Sequence, residues 1–195
     1  MLMKLQQFLE TYYEGYQLVP GFYHKWHQAI HINSPYDSTN EGTYRLIADV
    51  QSFLFDNQDE LLIVANSYPR FKNKTTYPNL FKRSMKSHEK KYELQLTNFE
   101  WLLDEDGISV QQITWSCKAS EIKLTWLLKA LANKDFLSLR PQLNRKNSVY
   151  APDVFIINQR TNCIVHVYDD RGIEVMSADK EYHQYILSYF NSYNI

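Results

Sequence analysis

His166, Tyr168 and Asp170 follow one another at intervals of two, with Asp169 and Arg171 filling in and closing the run. On an extended strand, side chains two apart share a face, so an imidazole, a phenol and a carboxylate would point the same way. Such groups could move a proton, or hold a divalent cation between His166 nitrogen and the Asp169 and Asp170 oxygens. The same residues also spell a turn. Asp169, Asp170, Arg171 and Gly172 lie between two apolar runs. Gly172 can take a positive φ, and the aspartates can bond backbone N–H groups. A turn already explains the Asp and Gly positions without a ligand, Arg171 would be an exposed turn residue or pair with an aspartate, and no further ligands for a cation can be named. The structural reading therefore outweighs the chemical one: Asp169 closes the turn, Asp170 is solvated and His166 packs against the last helix. Tyr168, Asp169, Asp170 and Arg171 are kept as a candidate contact for a partner. No catalytic or metal-ligating residue is assigned, and no cofactor is expected.

Two other groups could do chemistry. His24, His27 and His31 fall within eight residues, and His27 and His31 would converge on a helix. The alternation of Trp26, Gln28, Ile30 and Ile32 with His27, Ala29 and His31 indicates a strand instead, where those two imidazoles stand ~13 Å apart at ~3.3 Å per residue, too far to share zinc. The second group is cationic. Arg70, Lys72, Lys74, Lys82, Arg83, Lys86, Lys90 and Lys91 are interleaved with Tyr68, Phe71, Tyr77, Phe81 and Tyr92. Cations beside aromatics are what a single-stranded nucleic-acid platform needs, and also what a loop has when rings anchor it and lysines stay wet. With Glu89, residues 70–91 carry +7 formally, which leaves −8 for the rest of a chain whose net charge is −1. A nearly neutral whole does not draw in DNA or an anionic membrane, so a solvated or partner-facing loop is the stronger reading.

Hydrophobic residues make up 44% of 195 and charged residues 22%, enough for one substantial core. Fifteen tyrosines are unusual, and tyrosine offers large area with few rotors at protein contacts. Tyr182, Tyr185 and Tyr189 fit the core by spacing, whereas Tyr12, Tyr13, Tyr16, Tyr23, Tyr36 and Tyr193 need not. Cys117 and Cys163 lack the spacing of a metal or redox pair and sit in apolar runs, as buried thiols do. No signal-like segment or span of ~18 apolar residues is visible, so a cytoplasmic address without membrane attachment is expected. No GxSxG, HExxH, P-loop or dinucleotide fingerprint is present.

The elements that must position these groups follow from periodicity. Leu2, Leu5, Phe8, Leu9 and Tyr12 predict a first amphipathic helix. A strand ends at Asn33, and Thr39 or Asn40 caps a helix from about Glu41 to Phe55. Leu61 to Ala65 reads as a central strand. Arg70 to Lys91 reads as a long loop, Tyr92 to Leu103 as one or two strands, residues 104 to 107 as a turn and Val110 to Cys117 as a strand. Ser120 is the expected cap of a helix bearing Leu124, Leu127, Leu128 and Leu131. Val154 to Asn158, Ile164 to Tyr168 and Ile173 to Met176 make a three-stranded meander, and Ser177 or Asp179 starts a last helix. The expected fold is a single α+β domain over residues 1–195. Its sheet is mainly antiparallel, with helices chiefly on one face and the meander and a helix at the C-terminus.

Three stretches carry a resemblance: Trp126-Leu-Leu-Lys-Ala-Leu-Ala-Asn-Lys-Asp-Phe136, Pro152-Asp-Val-Phe-Ile-Ile-Asn158 and Val165-His-Val-Tyr-Asp-Asp-Arg-Gly172. In order and content, residues about 110–190 resemble the bacterial family catalogued as domain of unknown function 3885. The resemblance implies a small bacterial α+β protein and carries over no catalytic residue.

The functional expectation is a non-enzymatic protein–protein interaction protein. Its specific form, by analogy with small motif-poor bacterial proteins, is an immunity protein or antitoxin that occludes a toxin domain. The alternatives are nucleic-acid binding through residues 70–91, and an enzyme centred on His166, Asp169 and Asp170.

Overall fold

The computed structural model describes residues 3–19, 21–34, 40–68, 78–103, 106–136, 138–143 and 152–193. Seven antiparallel strands form one sheet, in the order β1 (Ala29–Asn33), β7 (Gly172–Ser177), β6 (Cys163–Asp169), β5 (Asp153–Asn158), β2 (Glu60–Ser67), β4 (Asp106–Lys118) and β3 (Gln95–Leu103). Helices α3 (Glu41–Leu54), α4 (Pro78–Ser84), α5 (Leu124–Ala132) and α6 (Lys180–Tyr189) pack on one face. Among the described residues, the helices on the other face are α1 (Leu5–Tyr12) and the single turn α2 (Phe22–Lys25).

Strand periodicity divides the core. Leu61, Ile63 and Ala65 of β2 face the four-helix side, while Leu62 and Val64 face α1 and α2. Both sides are covered, so β2 reads as a continuous apolar run, as buried central strands do. On α5, Leu127, Leu128 and Leu131 are 0–2% exposed. Each buried leucine contributes about 2 kcal/mol, which seats the helix although its N-cap, Lys123, makes no side-chain cap bond.

Several local expectations change. Helix α5 starts at Leu124, and Ser120 lies in a 3-10 turn (Ala119–Glu121) instead of capping it. Trp26 and His27 are outside β1, because α2 occupies the preceding residues; the Trp26 indole donates to the Ser177 carbonyl at 2.7 Å. Part of the expected long loop is helical: α4 lies within it, and a 3-10 turn (His88–Glu93) begins in it and takes Tyr92 and Glu93 from the expected strand. Residues 70–77 of that run, and Tyr36, Thr39, Asp104 and Glu105, lie outside the described residues. Tyr13 is core, fully buried with its hydroxyl donating to the Met176 carbonyl at 3.0 Å. Tyr185 and Tyr189 are the reverse, 59% and 47% exposed.

Both thiols are buried and unpaired. Burial pushes Cys163 up to about 11 and raises Cys117 as well, with the nearby Glu121 and Glu60 adding to the latter. Neither is a thiolate at neutral pH, so neither is a ready nucleophile.

Candidate functional site

The β6–β7 hairpin ends where the start of α3 and the end of α5 also arrive. Asp169 pairs with Gly172, so the turn itself is Asp170 and Arg171, and a bulge lies between Val167 and Asp169. The Asp169 carboxylate accepts the Arg171 N–H at 2.8 Å and Nε at 2.7 Å, and also takes Nη2. The Arg171 guanidinium covers the Tyr168 ring at 4.7 Å, with Lys134 at 5.0 Å from the same ring. Thr43 of α3 donates to the Asp170 carbonyl at 3.2 Å, and the Ser34 N–H donates to the Arg171 carbonyl at 2.8 Å. All four candidate contact residues are thus joined at one corner, and Asp169 closes the turn from inside.

Gly172 serves a different purpose from the one its neighbours suggest. Its φ is outside the left-handed region. A Cβ there would stand 2.6 Å from the Ile32 carbonyl and 2.7 Å from His31 Nε2. Glycine is needed because β1 passes so close.

The corner is braced by residues that periodicity does not single out. Asn40, at φ 58°, makes no cap bond of its own. Instead its amide donates to Asn133 Oδ1 at 3.0 Å, the Tyr44 hydroxyl donates to the same oxygen at 2.8 Å, and the Asn133 amide donates to the Pro141 carbonyl at 2.9 Å. Asn40 and Asn133 are fully buried, so these bonds satisfy groups that would otherwise be stranded. A polar residue beside each helix terminus was the available signal, but cap chemistry and tertiary pairing use the same residue types.

Asp135, Asp169 and Asp170 each offer an oxygen within 4.8 Å of the others, the one such group of potential ligands among the described residues. Three oxygens are half of what calcium takes, and those of Asp169 already bond Arg171. Asp170 is held above the ordinary carboxylate range, first by burial and then by Asp169. A folded-state pKa above the unfolded one means the group favours folding only in acid and disfavours it once ionised. Asp170→Asn should therefore raise the melting temperature at pH 7, the gain vanishing below about pH 4. Titrating magnesium or calcium into both forms completes the measurement; a wild-type-specific stabilisation by cation would show that the acids form a metal site.

His166 does not join this group. Its side chain lies on the α1–α2 face, not against α6, stacked on Phe155 at 4.6 Å, with Nδ1 2.7 Å from Glu174. That pair is 3% and 8% exposed, and it ties β6 to β7 through directly opposed residues. Of the other histidines, His24 of α2 and His31 of β1 both lie against the Tyr23 ring, His27 lies beside Trp26, and His183 Nδ1 lies 3.1 Å from the Gln28 carbonyl.

Of the basic run, Arg83 donates to the Gln142 carbonyl at 2.9 Å. Lys90 pairs with Glu93 at 2.9 Å and Glu121 at 3.3 Å. Lys82 and Lys86 are exposed, while Arg70, Lys72 and Lys74 lie outside the described residues.

A second surface stands apart from the hairpin. Phe53 of α3 meets Tyr189, Tyr185 and Tyr182 of α6 at ring-centroid separations of 4.1, 5.1 and 6.3 Å. Burial pushes the Tyr182 phenol up to about 12. Beneath the rings, Ile186 and Phe190 are fully buried. The aromatic stripe of α6 is thus wider than the groove that receives it, and the surplus faces outward.

No helix among the described residues is long and apolar enough to cross a membrane. The chain is 25% identical over 212 residues to "Uncharacterized protein YnaE" of Bacillus subtilis (strain 168), an alignment covering 96% of this chain and 99% of that one. No solved structure matches it. The likeness seen from residue 110 onward extends through the N-terminal half: with residues 5–194 matched, the chain belongs to the family described as Domain of unknown function (DUF3885).

Proposed function

We propose that this chain is a binding protein whose partner is another protein, docked on the Phe53, Tyr182, Tyr185 and Tyr189 surface. The carrying observation is the exposure of Tyr185 and Tyr189, 59% and 47%, in a contiguous ring cluster that bridges α3 and α6. Such rings supply large area at low entropic cost, and anchors of this kind dominate binding energy. Near the cluster, Arg160 is half exposed and pairs with Asp59 at 2.6 Å and Asp56 at 3.6 Å, a charged rim that would set orientation more than affinity.

The narrower form of the reading is an immunity protein that occludes a toxin domain. It rests on analogy with small bacterial proteins and on the surplus of −8 outside residues 70–91, which would suit a basic nuclease. Nucleic-acid binding by the basic run has less support, because Arg83 and Lys90 are already engaged within the fold.

Capture from the native host with wild-type protein and with Tyr185→Ala/Tyr189→Ala, followed by calorimetry on the purified pair, tests this. At more than ~1 kcal/mol per anchor, the double variant should bind at least tenfold more weakly while keeping the wild-type circular dichroism. Equal affinity for both forms would remove the aromatic surface from the account.

A further inference from the structure

We infer that two copies of this chain pair along β3, antiparallel about a two-fold axis at Phe99, so that the seven-stranded sheets become one. Among the described residues, strand β3 is the last in the sheet and is bonded to β4 alone. It runs nine residues without a register shift. Protected edges in monomers are short, or carry lysine, proline or a bulge, and typical strands have about five or six residues. The opposite edge, β1, follows that rule with five residues. Strand β3 has neither lysine nor proline, and Glu100 is its only charge. Leu96 and Leu102 stand on one face of it, 61% and 72% exposed.

The sequence of β3 is complementary to itself in one register. With Phe99 opposite its own copy, Leu96 faces Leu102 of the second copy and Leu102 faces Leu96. Asn98 then faces Glu100, so no like charges meet and each carboxylate lies beside an amide. Shifting the register so that Glu100 sits on the axis would oppose the two carboxylates directly, which is destabilising. A two-fold axis perpendicular to the sheet keeps each side chain on its own face, so all four leucines are buried on one side. This pairing satisfies that edge and the two exposed leucines at once. It is independent of the partner surface, which lies on α3 and α6.

Two nine-residue edges make an interface near the lower limit for specific association, about 1,200 Å² in total. The dimer is therefore expected at concentrations on the order of tens of micromolar. Sedimentation velocity of the full chain should show the 23.3 kDa species giving way to its double across that range. The register is tested at Asn98, which is exposed. Asn98→Lys meets Glu100 of the second copy and should tighten the dimer severalfold, and Asn98→Glu should weaken it severalfold. Leu96→Lys should abolish it. A wild type that stays monomeric to about 200 micromolar would overturn the inference. So would a dimer that ignores both Asn98 variants, or one that dissociates with Tyr185→Ala/Tyr189→Ala.

Discussion

Replacing Asp59 with alanine should lower the unfolding free energy by roughly 3 kcal/mol, and the melting temperature by about 10 °C. The carboxylate is 5% exposed and accepts four hydrogen bonds. They come from the Asp56 N–H at 2.8 Å, the Asn158 amide at 2.7 Å, and Arg160 Nε and Nη2 at 2.6 and 3.0 Å. The fully buried Asn158 also donates to the Leu54 carbonyl at 2.6 Å. One carboxylate thus joins the end of α3, the start of β2 and the end of β5. Its loss leaves the buried Asn158 amide short of an acceptor, which costs more than the bond itself contributed. The half-exposed Arg160 regains water, so the figure stays below that for a wholly buried pair.

The same residue gives the experiment a pH signature. Burial alone would raise the Asp59 pKa, but Arg160, the Asp56 N–H and Asn158 outweigh it and hold the carboxyl below its ordinary value. A depressed folded-state pKa contributes stability above the unfolded pKa, and that contribution is lost as pH falls through the folded one. The gap between wild type and Asp59→Ala should therefore be widest at neutral pH and narrow below about pH 4. Parallel acid denaturation curves would show that the pairing contributes nothing.

Gly172→Ala should destabilise the fold by about 2–3 kcal/mol, in the range of overpacked sites. The added methyl meets a main-chain carbonyl, that of Ile32, and backbone cannot turn aside as the His31 ring can. Strand β1 must then move away from β7, and with it the Ser34 N–H bond to the Arg171 carbonyl. Hydrogen exchange should show protection lost first at Ile30 to Asn33. Gly172→Asn separates this cause from a turn preference: asparagine tolerates the left-handed region, yet here it should be at least as damaging as alanine. A well-tolerated asparagine would restore the turn explanation.

That glycine shows how the sequence is informative and where it misleads. Asp169 to Gly172 between two apolar runs is enough to predict a hairpin, because turn chemistry is local. The reason for glycine is not local, since Ile32 lies 140 positions away in the chain. The helices followed the same division. Leu124, Leu127, Leu128 and Leu131 identify α5 by spacing, and Asp179 caps α6 with its Oδ1 accepting the Tyr182 N–H at 2.7 Å. Helix α5 starts later than Ser120 because Glu121 bonds the Lys118 N–H and Lys90 within the preceding 3-10 turn.

Period-two and period-3.6 patterns, each readable within a dozen residues, were sufficient for an antiparallel α+β protein with a C-terminal meander. They set which side chains are apolar and at what interval. Strand order was beyond them: β2 lies between β4 and β5, and β7 joins β1, through pairings separated by dozens of residues. So was the outward placement of Tyr185 and Tyr189, which share the spacing of the core residue Ile186. Whether a ring is buried depends on the room that α3 leaves beside α6, and that room exists only once both helices have docked.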